Sequence, residues 1–222
     1  MDFPGSLCRS IKLAALALSV GAGQAVAQSM EFAGTTAGCF YTTVVCNPTG
    51  GDQVGFLQYI AGSFDQGTSS PGGVAAISGS NSNFGYFQLG NTTDSYTGQK
   101  FLLEVLFTSP VVSGPNAVFS AAVLGTVTND DNGAGGGVTI RFGSPQTFAF
   151  DGPDYTGTFT VKVNNVTVSP GTLESNSGVP VTAFITTNIT GQVTATPEPA
   201  TVGLFATGLV GLIPLARRRR SS

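Results

Sequence analysis

Between residues 28 and 195 the chain alternates apolar and polar positions with a period of two, the spacing of side chains along a β-strand. In the stretch Tyr155–Val163, residues Tyr155, Gly157, Phe159, Val161 and Val163 share one face, and Thr156, Thr158, Thr160 and Lys162 share the other. After Asn164-Asn165 the apolar positions move to Val166 and Val168. This one-residue shift predicts a bulge or a tight turn at the Asn pair. The segment 181–193 alternates again, with Val181, Ala183, Ile185, Ile189 and Val193 on one side. The segment 101–107 is apolar on both faces apart from Glu104, which predicts a central strand covered on both sides. Further strands are expected at 39–46, 54–61, 74–78, 84–89, 117–128, 138–142 and 147–150.

Turn chemistry separates these segments: Pro71-Gly72-Gly73, Ser113-Gly114-Pro115, Asn132-Gly133 and Asp151-Gly152-Pro153. No interior segment has helical periodicity. Many short strands at such spacing predict an all-β domain, an antiparallel β-sandwich of jelly-roll or immunoglobulin-like type. Its core would be aromatic and β-branched side chains packed between two sheets.

The two ends follow different rules. At the start, Arg9 and Lys12 precede an apolar run at 13–20, then Ala25-Val26-Ala27. A short positive region, an apolar stretch too short to span a bilayer and a small-x-small site make a secretory signal peptide, with cleavage expected after Ala27. At the other end, the apolar run 200–216 is about 25 Å long as a helix, near the lower limit for spanning. Arg217, Arg218, Arg219 and Arg220 follow at once. They would hold this terminus on the cytoplasmic side and leave the body outside the inner membrane. The expected organisation is therefore a signal peptide at 1–27, a β-sandwich domain at 28–195 and a C-terminal segment with a transmembrane helix at 196–222.

Charge sharpens the picture. The interior carries only Lys100, Arg141 and Lys162 as basic residues, against ten acidic ones. A body this acidic is not expected to bind nucleic acid or anionic lipid, which both need a basic face. The chain has no histidine, so Ser-His-Asp triads, Cys-His dyads and imidazole metal sites are excluded. Cys39 and Cys46 are the only cysteines after Cys8. In an oxidising compartment such a pair reads as a disulfide, and the alternative is two free thiols on one strand.

Pro197-Glu198-Pro199, a Gly- and Leu-rich apolar run and an arginine cluster, in that order, resemble the PEP-CTERM protein-sorting signal. The resemblance covers the last part of the chain only, and the domain at 28–195 is assigned to no family. It implies processing by an exosortase, a membrane-embedded enzyme with a cysteine nucleophile, which cuts near the Pro-Glu-Pro motif. Glu198 would then be a recognition element. It also implies a Gram-negative host that makes exopolysaccharide, and delivery to the cell surface or biofilm matrix. The implied partners are signal peptidase and exosortase, with the inner membrane engaged transiently.

Three functions are weighed on these grounds. The first is a structural or adhesive protein of the extracellular matrix, without catalysis or a cofactor. The second is a carbohydrate-binding module acting on exopolysaccharide, with Tyr59, Tyr86 and Tyr96 as a stacking platform; the absence of tryptophan favours instead a place for these rings in the core or over strand edges. The third is a hydrolase, for which Asp151, Asp154 and Glu104 are the acids to examine; Glu104 is expected to meet Arg141 or Lys100. The turn Asn129-Asp130-Asp131-Asn132-Gly133 makes Asp130 and Asp131 calcium candidates. It lacks the ligand spacing of an EF-hand, and a hairpin turn explains it equally well.

Overall fold

The computed structural model describes residues 29–68, 72–131, 133–152 and 155–192. They form fifteen strands and no helix among the described residues. The strands are β1 (Glu31–Tyr41), β2 (Asp52–Val54), β3 (Leu57–Ile60), β4 (Ser63–Gly67), β5 (Val74–Ile77), β6 (Tyr86–Leu89), β7 (Asp94–Ser95) and β8 (Lys100–Ser109). They continue as β9 (Ala117–Asp130), β10 (Gly133–Phe142), β11 (Gln146–Asp151), β12 (Tyr155–Val163), β13 (Val166–Val168), β14 (Val179–Pro180) and β15 (Ala183–Gln192).

One sheet has seven strands in the order β13-β10-β9-β8-β1-β4, with β7 added on β9. Two four-stranded sheets, β11-β12-β15-β5 and β14-β6-β3-β2, complete the body. Every strand pair is antiparallel. The seven-stranded sheet faces both smaller ones across one continuous core. Phe32 of β1 and Phe107 of β8 meet Phe159 of β12 edge-on, with ring centroids at 5.2 and 4.9 Å. Phe101 of β8 packs on Tyr59 and Phe87 at 4.9 and 5.0 Å. Such tilted ring pairs add to the gain from burying apolar area.

Four expected elements need correction. The strand expected at 39–46 is the end of a longer one: β1 begins at Glu31 and stops at Tyr41, and residues 42–51 form a loop. Its inward positions, Phe32, Gly34, Thr36, Gly38 and Phe40, include two glycines. Neighbouring rings fill their space, so a Cβ on Gly38 would lie 2.7 Å from Tyr59 Cε1 and closer still to Phe101 Cζ. The strand expected at 54–61 is the hairpin β2–β3, turning at Gly55 with φ +54°.

The Asn164-Asn165 shift is neither a bulge nor a hairpin turn. It is the crossing between layers, because β12 pairs with β15 while β13 pairs with β10 of the opposite sheet. Asn164 donates from its backbone N–H to Thr182 O at 2.9 Å and from Nδ2 to Thr182 Oγ1 at 2.8 Å. Asn165 Oδ1 accepts the Phe142 N–H at 3.0 Å. Each Asn ties the crossing to one layer.

Finally, β8 is central in its sheet but covered fully on one face only. Phe101, Leu103, Val105 and Phe107 face the core, whereas Leu106 on the other face is half exposed. Leu102 on that outer face is buried directly opposite Cys39. The Cys39–Cys46 bridge is formed, with an S–S distance of 1.99 Å and Cα atoms 6.2 Å apart.

Candidate functional site

The sorting residues Pro197, Glu198 and Pro199, the cluster Arg217–Arg220, and the signal-cleavage residues Ala25 and Ala27 lie outside the described residues. So does Asp154. No helix among the described residues is long and apolar enough to cross a membrane. What the structure does place is the end of the body from which the sorting segment departs.

That end is built by short connections. Met30 and Thr68 clasp each other: the Thr68 N–H donates to Met30 O at 2.8 Å, and the Met30 N–H donates to Thr68 Oγ1 at 3.0 Å. Ser109 Oγ donates to Glu31 O at 3.2 Å. Beyond β8 the chain runs through a cis Ser109–Pro110 peptide to an isolated bridge between Val112 and Phe150. The Gly152 N–H donates to Tyr155 O at 3.0 Å and starts the return into β12. Tyr155 in turn pairs with Gln192, the last residue of β15. The two outermost described residues, Ser29 and Gln192, therefore lie at one end of the body. Between these connections lies an open groove of about 460 Å³, lined by Met30, Glu31, Pro110, Val111, Asp151 and Tyr155 among others. Val111 is 69% exposed.

The opposite end carries the calcium candidates and the disulfide. Asp130 closes β9, and Asp131 forms the tip of the β9–β10 hairpin, where Asp130 stands opposite Gly133. Among the described residues no three Asp, Glu or Cys side chains converge in a way that could hold a metal ion. The loop 42–51, tied at Cys39–Cys46, also lies at this end. Val44 and Val45, which looked like strand interior, are 80% and 63% exposed on it. The Asp52 carboxylate steadies the loop's return by accepting the Phe40 N–H at 2.7 Å.

The tyrosine platform is overturned. Tyr59 and Tyr96 are fully buried and cannot present a ring to a sugar. Tyr59 Oη meets Thr36 Oγ1 at 2.8 Å and donates to Phe84 O at 2.7 Å. Burial pushes its hydroxyl well above the ordinary tyrosine range, and the Thr36 hydrogen bond only partly opposes this. Tyr96 Oη accepts the Phe56 N–H at 3.2 Å. Its pKa is also raised, first by burial, with the nearby Asp94 adding and the Phe56 bond opposing. Tyr86 is half-buried and hydrogen-bonded to Asn83 and Ser80.

Glu104 does not meet the basic residues expected for it. Its carboxylate accepts a hydrogen bond from Asn116 Nδ2 at 2.6 Å. Lys100 lies over the Tyr41 ring at 5.8 Å, and Arg141 is exposed on β10. Asp151 ends β11 at the groove. Glu104, Asp130 and Asp151 thus stand on three separate elements. The groove itself went unseen in the sequence, because its lining comes from three segments distant in the chain whose residues show no common pattern.

Residues 195–220 match the family model of the PEP-CTERM protein-sorting motif. The chain carries an exosortase-recognised signal, and is an exported protein sorted through the membrane and processed at that signal. No curated protein and no solved structure matches it, and the β domain ahead of the motif is unassigned.

Proposed function

We propose that this is a surface- or matrix-targeted structural or adhesive protein, non-catalytic and without a resident cofactor. On this reading a β-sandwich body is delivered by a signal peptide ending at Ala27. Residues 200–216 hold it in the inner membrane as a helix until an exosortase cuts near Pro197-Glu198-Pro199. The observation that carries the reading is the sorting motif, which starts at residue 195, directly after a body whose last strand ends at Gln192. The absence of histidine and the wide separation of Glu104, Asp130 and Asp151 support a non-catalytic role. The burial of Tyr59 and Tyr96 leaves carbohydrate binding without its proposed platform.

Deleting residues 195–222 tests the sorting half of this reading. Signal removal should proceed as before, while the protein disappears from the surface fraction and accumulates in the periplasm. A truncated chain that still reaches the surface would reject it. The structural role is tested by a strain lacking the protein, whose matrix should be released more readily under shear. A matrix that resists shear as the parent does would count against that role.

A further inference from the structure

We propose that the grooved end of the body is a docking surface for the exosortase that reads the motif; this rests on the processing reading above. The argument is one of reach. Pro197 lies five positions beyond Gln192. An extended chain covers at most about 3.3–3.6 Å per residue, so Pro197 stays within about 18 Å of Gln192 whatever path the link takes. Gln192 is paired with Tyr155, which lines the groove. A folded enzyme of about 200 residues is roughly 40 Å across. Holding Pro197-Glu198-Pro199 therefore brings such an enzyme within about 18 Å of this end of the body.

The link therefore keeps the enzyme close to this end, and the surface residues decide whether contact helps. The groove offers a small apolar strip, half-buried Pro110 and exposed Val111, with Glu31 and Asp151 as carboxylates beside it. A partner face fitting it is apolar with basic groups opposite the two acids. Because motif and groove belong to one chain, engaging the first raises the effective concentration of the second, so even a weak contact adds to recognition. Val44-Val45, the most exposed apolar pair among the described residues, is excluded by distance. It lies beyond the far end of β1, an eleven-residue strand spanning about 33 Å from the groove side to the loop side.

The test uses the full chain with its exosortase in the native host. Tail removal is followed by pulse-labelling and intact mass. Val111→Asp, and separately the pair Glu31→Lys with Asp151→Lys, should slow tail removal by about fivefold or more. Val44→Asp should leave it unchanged. Signal removal and the melting temperature of the recovered body should match the parent in all three, since these side chains are exposed. Groove variants that lose the tail at the parental rate would overturn the docking surface alone, as would an equal slowing by Val44→Asp. A parent chain that keeps its tail would overturn the processing reading itself.

Discussion

Gly38 shows how much of this fold rests on a missing side chain. It sits on the inward face of β1, where the rings of Phe101 and Tyr59 occupy the space a Cβ would take. Gly38→Ala should therefore destabilise the body by about 3 kcal/mol, an overpacking cost, measured as a lowered denaturant midpoint with an unchanged slope. A midpoint within error of the parent would mean the rings move aside freely. Gly125 is fixed differently: its φ of +133° and its approach to the Gly137 carbonyl both exclude a side chain. Tyr59 and Tyr96 set the behaviour at high pH. Their pKa values are raised in the folded state, so folding favours their neutral forms. Their contribution to stability is fully present below the unfolded value of about 10 and is lost as pH rises above it. Tyrosinate absorbance should show Tyr59 ionising only together with loss of the fold. Ionisation of Tyr59 near its ordinary value, with the fold intact, would contradict this.

At the scale of elements, the Cys39–Cys46 bridge fastens the loop after β1 over the outward face of the sheet, where Leu102 lies buried opposite Cys39. Replacing both cysteines with serine should cost about 2–3 kcal/mol on the chain-entropy model, with faster amide exchange confined to the end of β1 and the start of β8. Loss spread evenly over both layers would show that the bridge braces more than this edge. The elements also show what the sequence made legible. Strands that alternate β-branched or aromatic residues with Thr, such as β12 and β15, follow directly from period two. The part of β1 before Cys39 does not, because two of its inward positions, Gly34 and Gly38, are glycines whose space is filled by rings distant in sequence. The Asn164-Asn165 shift was visible, but its meaning was not. A change of phase is the same whether a strand bulges or crosses to the opposite layer, and only the partners of β12 and β13 distinguish the two. Tyrosine as a candidate sugar platform failed for a similar reason: residue type does not report burial, and Tyr59 and Tyr96 use their hydroxyls inside the core.

At the scale of the whole molecule, the described ends of the chain meet at one end of the layered body, and the sorting motif begins two residues past the next position after Gln192. The body is thereby oriented: its grooved end faces the machinery that handles the tail, and the disulfide loop with the β9–β10 hairpin points away. The sorting segment was legible because its chemistry is local, a Pro-Glu-Pro triplet, an apolar run and four arginines in sequence. The groove was not, because it exists only once three segments distant in the chain converge. The measurement that tests this account most directly is the intact mass of the protein recovered from the surface of its native host. The account predicts a chain that begins at Gln28 and ends near Pro197, with or without an added group. A chain that begins at Gln28 but still carries Arg217–Arg220 would make the C-terminal segment a permanent anchor and contradict it.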